Sequence, residues 1–257
     1  MDLGAYFARI AWTGPRAAAG DALAGIYAHH VRAIPFENLD VLLGRPPELE
    51  LAALEAKLVH ARRGGYCYEH ATLFAQVLRE LGVEPRTHSA RVIIVTPRHL
   101  APRTHMFLTL GELVLDPGFG GQAPLAPVPL DGTPAGDHRI VRVDGGIALE
   151  MTGADGGWQR LWWSTLEHDQ PIDFEMANHF TATHASSPFV QRLMARTFTR
   201  DGKVGVMNRD VTIVRAGETR THRLADRAEL RALIAEHFGF DLPTVAGLRV
   251  PSIPEWQ

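Results

Sequence analysis

The hydrophobic pattern of this 257-residue chain changes period near Gly82, and that change limits the folds open to it. From Leu3 to about Gly82, apolar residues recur at helical spacing, as in DALAGIYAHHVRAI and LAALEAKLVHARR, with Pro15, Pro35 and the pair Pro46-Pro47 as breaks. This part predicts a helical bundle. From about Arg86 to Trp163 the pattern becomes a series of short β-rich runs, THSARVIIV, HMFLTL, ELVLD, HRIVRV, IALEM and WQRLWW, separated by Gly, Pro and Asp. With no long helices between them, these runs predict an antiparallel barrel or curled sheet rather than a parallel α/β core. The remainder mixes both patterns: a helical stretch through DFEMANHFTAT and SPFVQRLMAR, strands in VGVMN, VTIVRA and ETRTHRL, and a last helix from Arg227 to Phe238. The expected class is α+β.

Composition removes several functions. A net charge of -3 gives no bulk attraction to nucleic acid or to an anionic membrane surface. No stretch approaches the roughly 18 apolar residues of a membrane span, and MDLGAYFARIAWTGP lacks the basic and apolar regions of a secretory signal. A single cysteine makes no internal disulfide, which points to a reducing, cytoplasmic compartment.

That cysteine, Cys67, lies in RRGGYCYEHATLF. After it, Leu73, Phe74, Val77, Leu78 and Leu81 form the stripes of an amphipathic helix that stops at Gly82. Cys67 therefore falls in the first helical turn, where backbone N–H groups converge and favour a thiolate; Arg62 and Arg63 are placed to add to that field. Gly64 and Gly65 allow an unusual backbone path and close approach by a substrate. Taken alone, the cysteine reads equally well as a small buried hydrophobe.

A nucleophilic thiol needs a base and a group to orient it. His70 is three residues on, along the same helix, which suits a structural role better than an in-line contact. His105 opens THMFLTL, and a tight turn at Gly111 returns the chain through ELVLD, so that Asp116 stands about opposite His105 across a β-hairpin. No HExxH sequence is present, and His179 with His184 lack a third partner for a metal.

RRGGYCYEHATLFAQVLRELG, with IPFENLDVLLGRP before it and RTHMFLTL and LDPGFGG after it, resembles the arylamine N-acetyltransferase family, and the likeness continues through DFEMANHFTATHASSPFV. The resemblance implies a Cys-His-Asp triad on Cys67, His105 and Asp116. It also implies a fold in three parts around a cysteine-protease-like core: a helical bundle over residues 1–84, a β-barrel over 85–170 and an α/β lid over 171–257. By the same likeness, Phe36 and Phe119 line the acceptor pocket, Gly118, Gly120 and Gly121 border the acetyl-CoA channel, and Glu37 with Arg63 forms a buried pair behind the cysteine. Two departures stand out: the LTLGELVL hairpin is shorter than is usual in the family, and Pro117 replaces an aliphatic residue.

The chemistry implied is two-step transfer. Acetyl-CoA acylates the thiol, and an arylamine, arylhydrazine or N-hydroxyarylamine takes the acetyl group, its nitrogen largely unprotonated at pH 7. Acetyl-CoA is then a cosubstrate, with no metal or tightly bound cofactor, and a homodimer is compatible with the sequence. An amide synthase of the same fold, joining a polyketide acyl chain to an aromatic amine, shares these motifs. A papain- or transglutaminase-like hydrolase shares the triad but not RGGYC or PFENLD.

Overall fold

The computed structural model describes residues 1–153 and 155–256. The N-terminal part is helical: α1 (Leu3–Arg9), α2 (Gly20–Ala33), α3 (Leu39–Leu42), α4 (Leu51–Leu54), which runs on as a π-helical turn over Glu55–His60, and α5 (Cys67–Glu80). A two-residue strand, β1 (Phe36–Glu37), interrupts it. Helix α5 is buried along most of its length, with Leu73, Phe74, Val77 and Leu78 at 0% exposure. It ends where Gly82 takes a positive φ of 83°, as the sequence pattern predicts.

Seven strands follow: β2 (Arg86–Val92), β3 (Arg103–Leu110), β4 (Leu113–Leu115), β5 (Val128–Pro129), β6 (His138–Val143), β7 (Gly146–Thr152) and β8 (Trp158–Ser164). They form one antiparallel sheet in the order β5-β4-β3-β2-β8-β7-β6. Its two edge strands, β5 and β6, approach each other, so the sheet curls into a nearly closed barrel. Inside it Phe107 stacks on Trp162 with ring centroids 4.3 Å apart, among Val114, Ile140, Leu149 and Leu161.

The rest comprises α6 (Pro171–Thr183), α7 (Pro188–Gln191), β9 (Met194–Phe198), β10 (Gly202–Met207), β11 (Asp210–Arg215), β12 (Glu218–Arg223) and α8 (Arg227–Leu233), the last continuing as a π-helical turn over Ile234–Phe238. A second antiparallel sheet runs β1-β9-β10-β11-β12. SPFVQRLMAR is therefore not one helical stretch. Asn38 divides it: its side-chain amide donates to the Phe189 and Arg192 carbonyls, both at 2.7 Å, and its carbonyl oxygen accepts the Met194 N–H at 2.9 Å. One residue thus ends α7 and starts β9.

The parts share cores. Phe174 and Ala182 of α6 pack with the helical cluster of Tyr6, Tyr27 and Phe74, while Leu39 and Leu42 pack with Val204 and Val206 of the second sheet and Leu230 of α8. The start of α5 sits where bundle, barrel and second sheet meet. Among the described residues, no helix is long and apolar enough to cross a membrane.

Candidate active site

Cys67 is the first residue of α5 and only 3% exposed, with its sulfur 3.9 Å from the Thr104 carbonyl oxygen. The turn before it is held from below. The Glu69 carboxylate accepts the Tyr66 N–H at 3.0 Å, the reciprocal contact of a capping box, and fixes the entry to the helix.

RRGG does different work from that expected of it. A Cβ on Gly64 would lie 2.3 Å from the Pro35 carbonyl oxygen, and one on Gly65 would lie 2.6 Å from the Glu69 carboxylate. These glycines thus admit the Pro35 backbone and the Glu69 side chain, not a substrate. Gly65 donates to the Pro35 carbonyl and its own carbonyl accepts from Glu37, which laces the turn to β1. Arg62 is exposed, and Arg63 is tied to Glu37 at 2.7 Å and Asp40 at 3.2 Å, so its charge is balanced locally rather than turned on the thiol. The Glu37–Arg63 pair expected behind the cysteine is present. It belongs to a larger cluster in which Lys57 bridges Asp40 at 2.6 Å and Glu69 at 2.7 Å.

His105 and Asp116 meet, but not as direct cross-strand partners. Leu110 pairs with Leu113, which leaves Gly111 and Glu112 as a two-residue loop with Gly111 at φ 56°. Extending that register sets Asp116 opposite Phe107, one diagonal step from His105 on the same face. The diagonal is short enough for His105 Nε2 to donate to Asp116 Oδ2 at 2.9 Å. Trp162 Nε1 donates to the same oxygen at 2.8 Å, and the Asp116 N–H donates to the Tyr27 hydroxyl at 3.1 Å. Asp116 is fully buried.

The Cys67 side chain adjoins the ring and favours its charged form. Burial by itself pulls the His105 pKa down; the Asp116 charge and hydrogen bond, with the Cys67 contact, overcome it and raise the pKa to about 10. The imidazole is thus held as imidazolium beside the Cys67 side chain.

Cys67 and His105 open onto a cavity of about 560 Å³. Phe36 and Phe119 both line it; Phe119 meets His105 edge to face at 4.8 Å, and Phe36 packs with Phe189, a third aromatic of the wall. Val95, at 90% exposure, and Leu100 stand on the loop between β2 and β3, where THSARVIIV has already left the sheet. Of the three glycines, Gly118 alone lines the cavity. Its hydrogen faces Cys67: a Cβ there would fall 2.6 Å from the Cys67 Cα. Gly120, at φ 66°, lies against the Phe36 ring, and Gly121 against the Arg196 side chain.

His70 points away from the thiol. It is buried and joins a chain in which Tyr6 Oη is 3.0 Å from His30 Nδ1, His30 Nε2 is 3.1 Å from His70 Nδ1, and His70 Nε2 is 3.1 Å from the Pro35 carbonyl. Burial lowers the His70 pKa to about 4 and that of His30 well below its ordinary value. His184 stacks on Phe180, and among the described residues no three His, Cys, Asp or Glu side chains converge as a metal site would require.

Two supporting residues, Trp162 and Asn38, escape a reading of the sequence. Trp162 looks like any core aromatic of a β-run, and only the position of its N–H reveals a second task.

Comparison with known proteins accords with this geometry. A family model described as N-acetyltransferase matches residues 21–246. The arylamine N-acetyltransferase of Mycobacterium tuberculosis is 38% identical over 95% of this chain and 91% of its own length. A Salmonella typhimurium protein named arylamine N-acetyltransferase / N-hydroxyarylamine O-acetyltransferase is 35% identical, covering 95% of this chain and 90% of its own. Among solved structures, the M. tuberculosis enzyme superimposes with a TM-score of 0.86 over 93% of this chain and 94% of its own. The Mycobacterium marinum enzyme in complex with CoA does so with a TM-score of 0.87 at 34% identity, over 95% and 94%.

Proposed function

The chain belongs to the arylamine N-acetyltransferase family, and from that premise we propose that it carries an acetyl group from acetyl-CoA to the nitrogen of arylamines, arylhydrazines or N-hydroxyarylamines through an acetyl-Cys67 intermediate. The observation that carries the reading is the contact line Cys67–His105–Asp116 at the floor of an aromatic-walled cavity.

The protons balance around His105. The Cys67 thiolate attacks the thioester carbonyl, the carbon–sulfur bond to CoA breaks, and the departing CoA thiolate takes the imidazolium proton. The acceptor nitrogen then attacks acetyl-Cys67 and loses a proton to the now neutral imidazole, while the Cys67 sulfur leaves as thiolate. The starting pair is restored. Phe36, Phe119 and Phe189 offer flat apolar faces to an aromatic ring, and Gly118 lets the loop after Asp116 pack against the backbone of Cys67. The single free thiol, placed for nucleophilic work, also supports a reducing compartment, which we take to be the cytoplasm.

Incubation with acetyl-CoA and no amine, rapid quench and peptide mass analysis test the proposal. One acetyl group on the Cys67 peptide, discharged by an added arylamine, is expected. A Cys67→Ser variant that retains turnover, or a parent protein that never acetylates, refutes it.

A further inference from the structure

The strand β9 presents Met194, Arg196 and Phe198 on one face, while Ala195 points into the core on the other. Met194 lines the catalytic cavity. Across the sheet, Arg196 pairs with Phe36 on one side and with Gly205 on the other. Cross-strand partners share a face, so a row Phe36–Arg196–Gly205 runs outward from the cavity wall.

Two glycines from separate elements clear a slot for the arginine. A Cβ on Gly205 would fall 2.8 Å from Arg196 Nη1, and one on Gly121 would fall 2.8 Å from its Cδ and 3.1 Å from Nη1. Within that slot the side chain is half-buried, and desolvation draws the guanidinium pKa below its ordinary value. Yet among the described residues, Arg196 has no carboxylate, carbonyl or aromatic partner. The other part-buried arginines near the site are paired. Arg9 donates to the carbonyls of Leu58, Ala33 and Arg62, and Arg63 donates to Glu37.

A guanidinium taken from water and left unpaired is destabilising, and its planar fork of N–H donors matches a carboxylate or a phosphate. We propose that Arg196 is the docking residue for an anionic oxygen group carried by a substrate of the catalytic cavity. That group is either the carboxylate of an acidic arylamine or a phosphate of the acyl donor. The inference rests on the acetyl-transfer reading for its kinetic assay, but not for its binding assay.

The kinetic test compares the parent with Arg196→Gln and Arg196→Lys, using 4-aminobenzoate against 4-aminobenzamide as acceptors and acetyl-CoA against S-acetylpantetheine as donors. Loss of a charge-assisted contact should lower kcat/KM for the charged member of one pair by about tenfold relative to its uncharged partner, with partial recovery in Arg196→Lys. A shift confined to the acceptor pair assigns the carboxylate, and one confined to the donor pair assigns the phosphate. The binding test uses the unmutated protein: its melting temperature is followed with benzoate against benzamide, and with CoA against pantetheine. One charged ligand must stabilise it more than its neutral counterpart. Equal ratios in all variants, or equal stabilisation within both ligand pairs, overturns the proposal. A parent that binds the charged ligand but shows no turnover refutes acetyl transfer instead.

Discussion

Trp162 and His105 converge on one oxygen: the indole N–H and the imidazole Nε2–H both reach Asp116 Oδ2, at 2.8 and 2.9 Å. The carboxylate is thereby anchored from the barrel interior as well as from the hairpin. Replacing Trp162 with Phe keeps the stack on Phe107 but removes the donor. A hydrogen bond to a charged group contributes about 1.5 to 3 kcal/mol. Only part of this bears on His105 geometry, so acetylation of Cys67 in single-turnover stopped flow should slow by about tenfold, with the fold retained. Parent-like acetylation would show that Trp162 serves the core alone.

The imidazolium gives a pH prediction. The folded pKa of His105, about 10, lies above the ordinary 6.5. The stability it contributes is therefore fully present below pH 6.5 and is lost as pH rises towards 10. Denaturant unfolding should show this decline in the parent and a flatter profile in His105→Gln. Asp116→Asn removes the charge that offsets burial, so the ring should become neutral near pH 7. Alkylation of Cys67 by iodoacetamide at pH 6 should then slow by about tenfold or more. Equal alkylation rates in parent and variant would separate Asp116 from the thiol's activation.

The helix start at Cys67, the stop at Gly82 and the meeting of His105 with Asp116 are legible because each follows from local spacing. A turn at Gly111 does not by itself fix the loop length or the facing pair; extending the Leu110–Leu113 pairing sets Asp116 opposite Phe107, and the pleat then places it on a diagonal from His105. MARTF is hidden for a different reason. Its apolar residues extend the helical spacing of SPFVQ, and the break is imposed by Asn38, more than 150 residues away in sequence. Gly64 and Gly65 read as open space for a ligand, whereas the Pro35 backbone and the Glu69 carboxylate occupy it. Long-range partners of this kind leave no local pattern.

Lys57 holds the cluster under the cysteine together. It contacts Asp40 and Glu69, with Glu37 and Arg63 beside it. Lys57→Met leaves three carboxylates with one guanidinium, and breaking such a buried arrangement costs about 3 to 5 kcal/mol. Burial already raises the Glu69 pKa to about 7, despite the pull of Lys57 in the other direction. An acid whose folded pKa is raised loses stability as pH rises from its ordinary 4.5 through that value. Without Lys57 the rise is greater, so the deficit in Lys57→Met should be largest above pH 7 and shrink towards pH 5. A deficit independent of pH would mean that Lys57 acts by packing its alkyl stem.

The chain from Tyr6 to Pro35 has only one consistent direction. The Pro35 carbonyl can only accept, so His70 Nε2 carries the hydrogen and, the ring being neutral, His70 Nδ1 accepts from His30 Nε2–H. His30 Nδ1 then accepts from the Tyr6 hydroxyl. Nitrogen NMR should find both rings as the Nε2–H tautomer, and an Nδ1–H signal from either would reverse the order. Tyr6→Phe leaves His30 Nδ1 buried without a donor and should destabilise the protein by about 1 to 3 kcal/mol. Here the linkage runs opposite to that of His105. Folded pKa values below 6.5 mean that the stability is present above pH 6.5 and lost as pH falls towards about 4, on the order of 3 kcal/mol from His70 alone. Because the last link holds the Pro35 carbonyl next to Phe36, acidification should raise the acceptor KM before the fold is lost. A fall in turnover below pH 6 with KM constant would show that the chain does not position the aromatic wall.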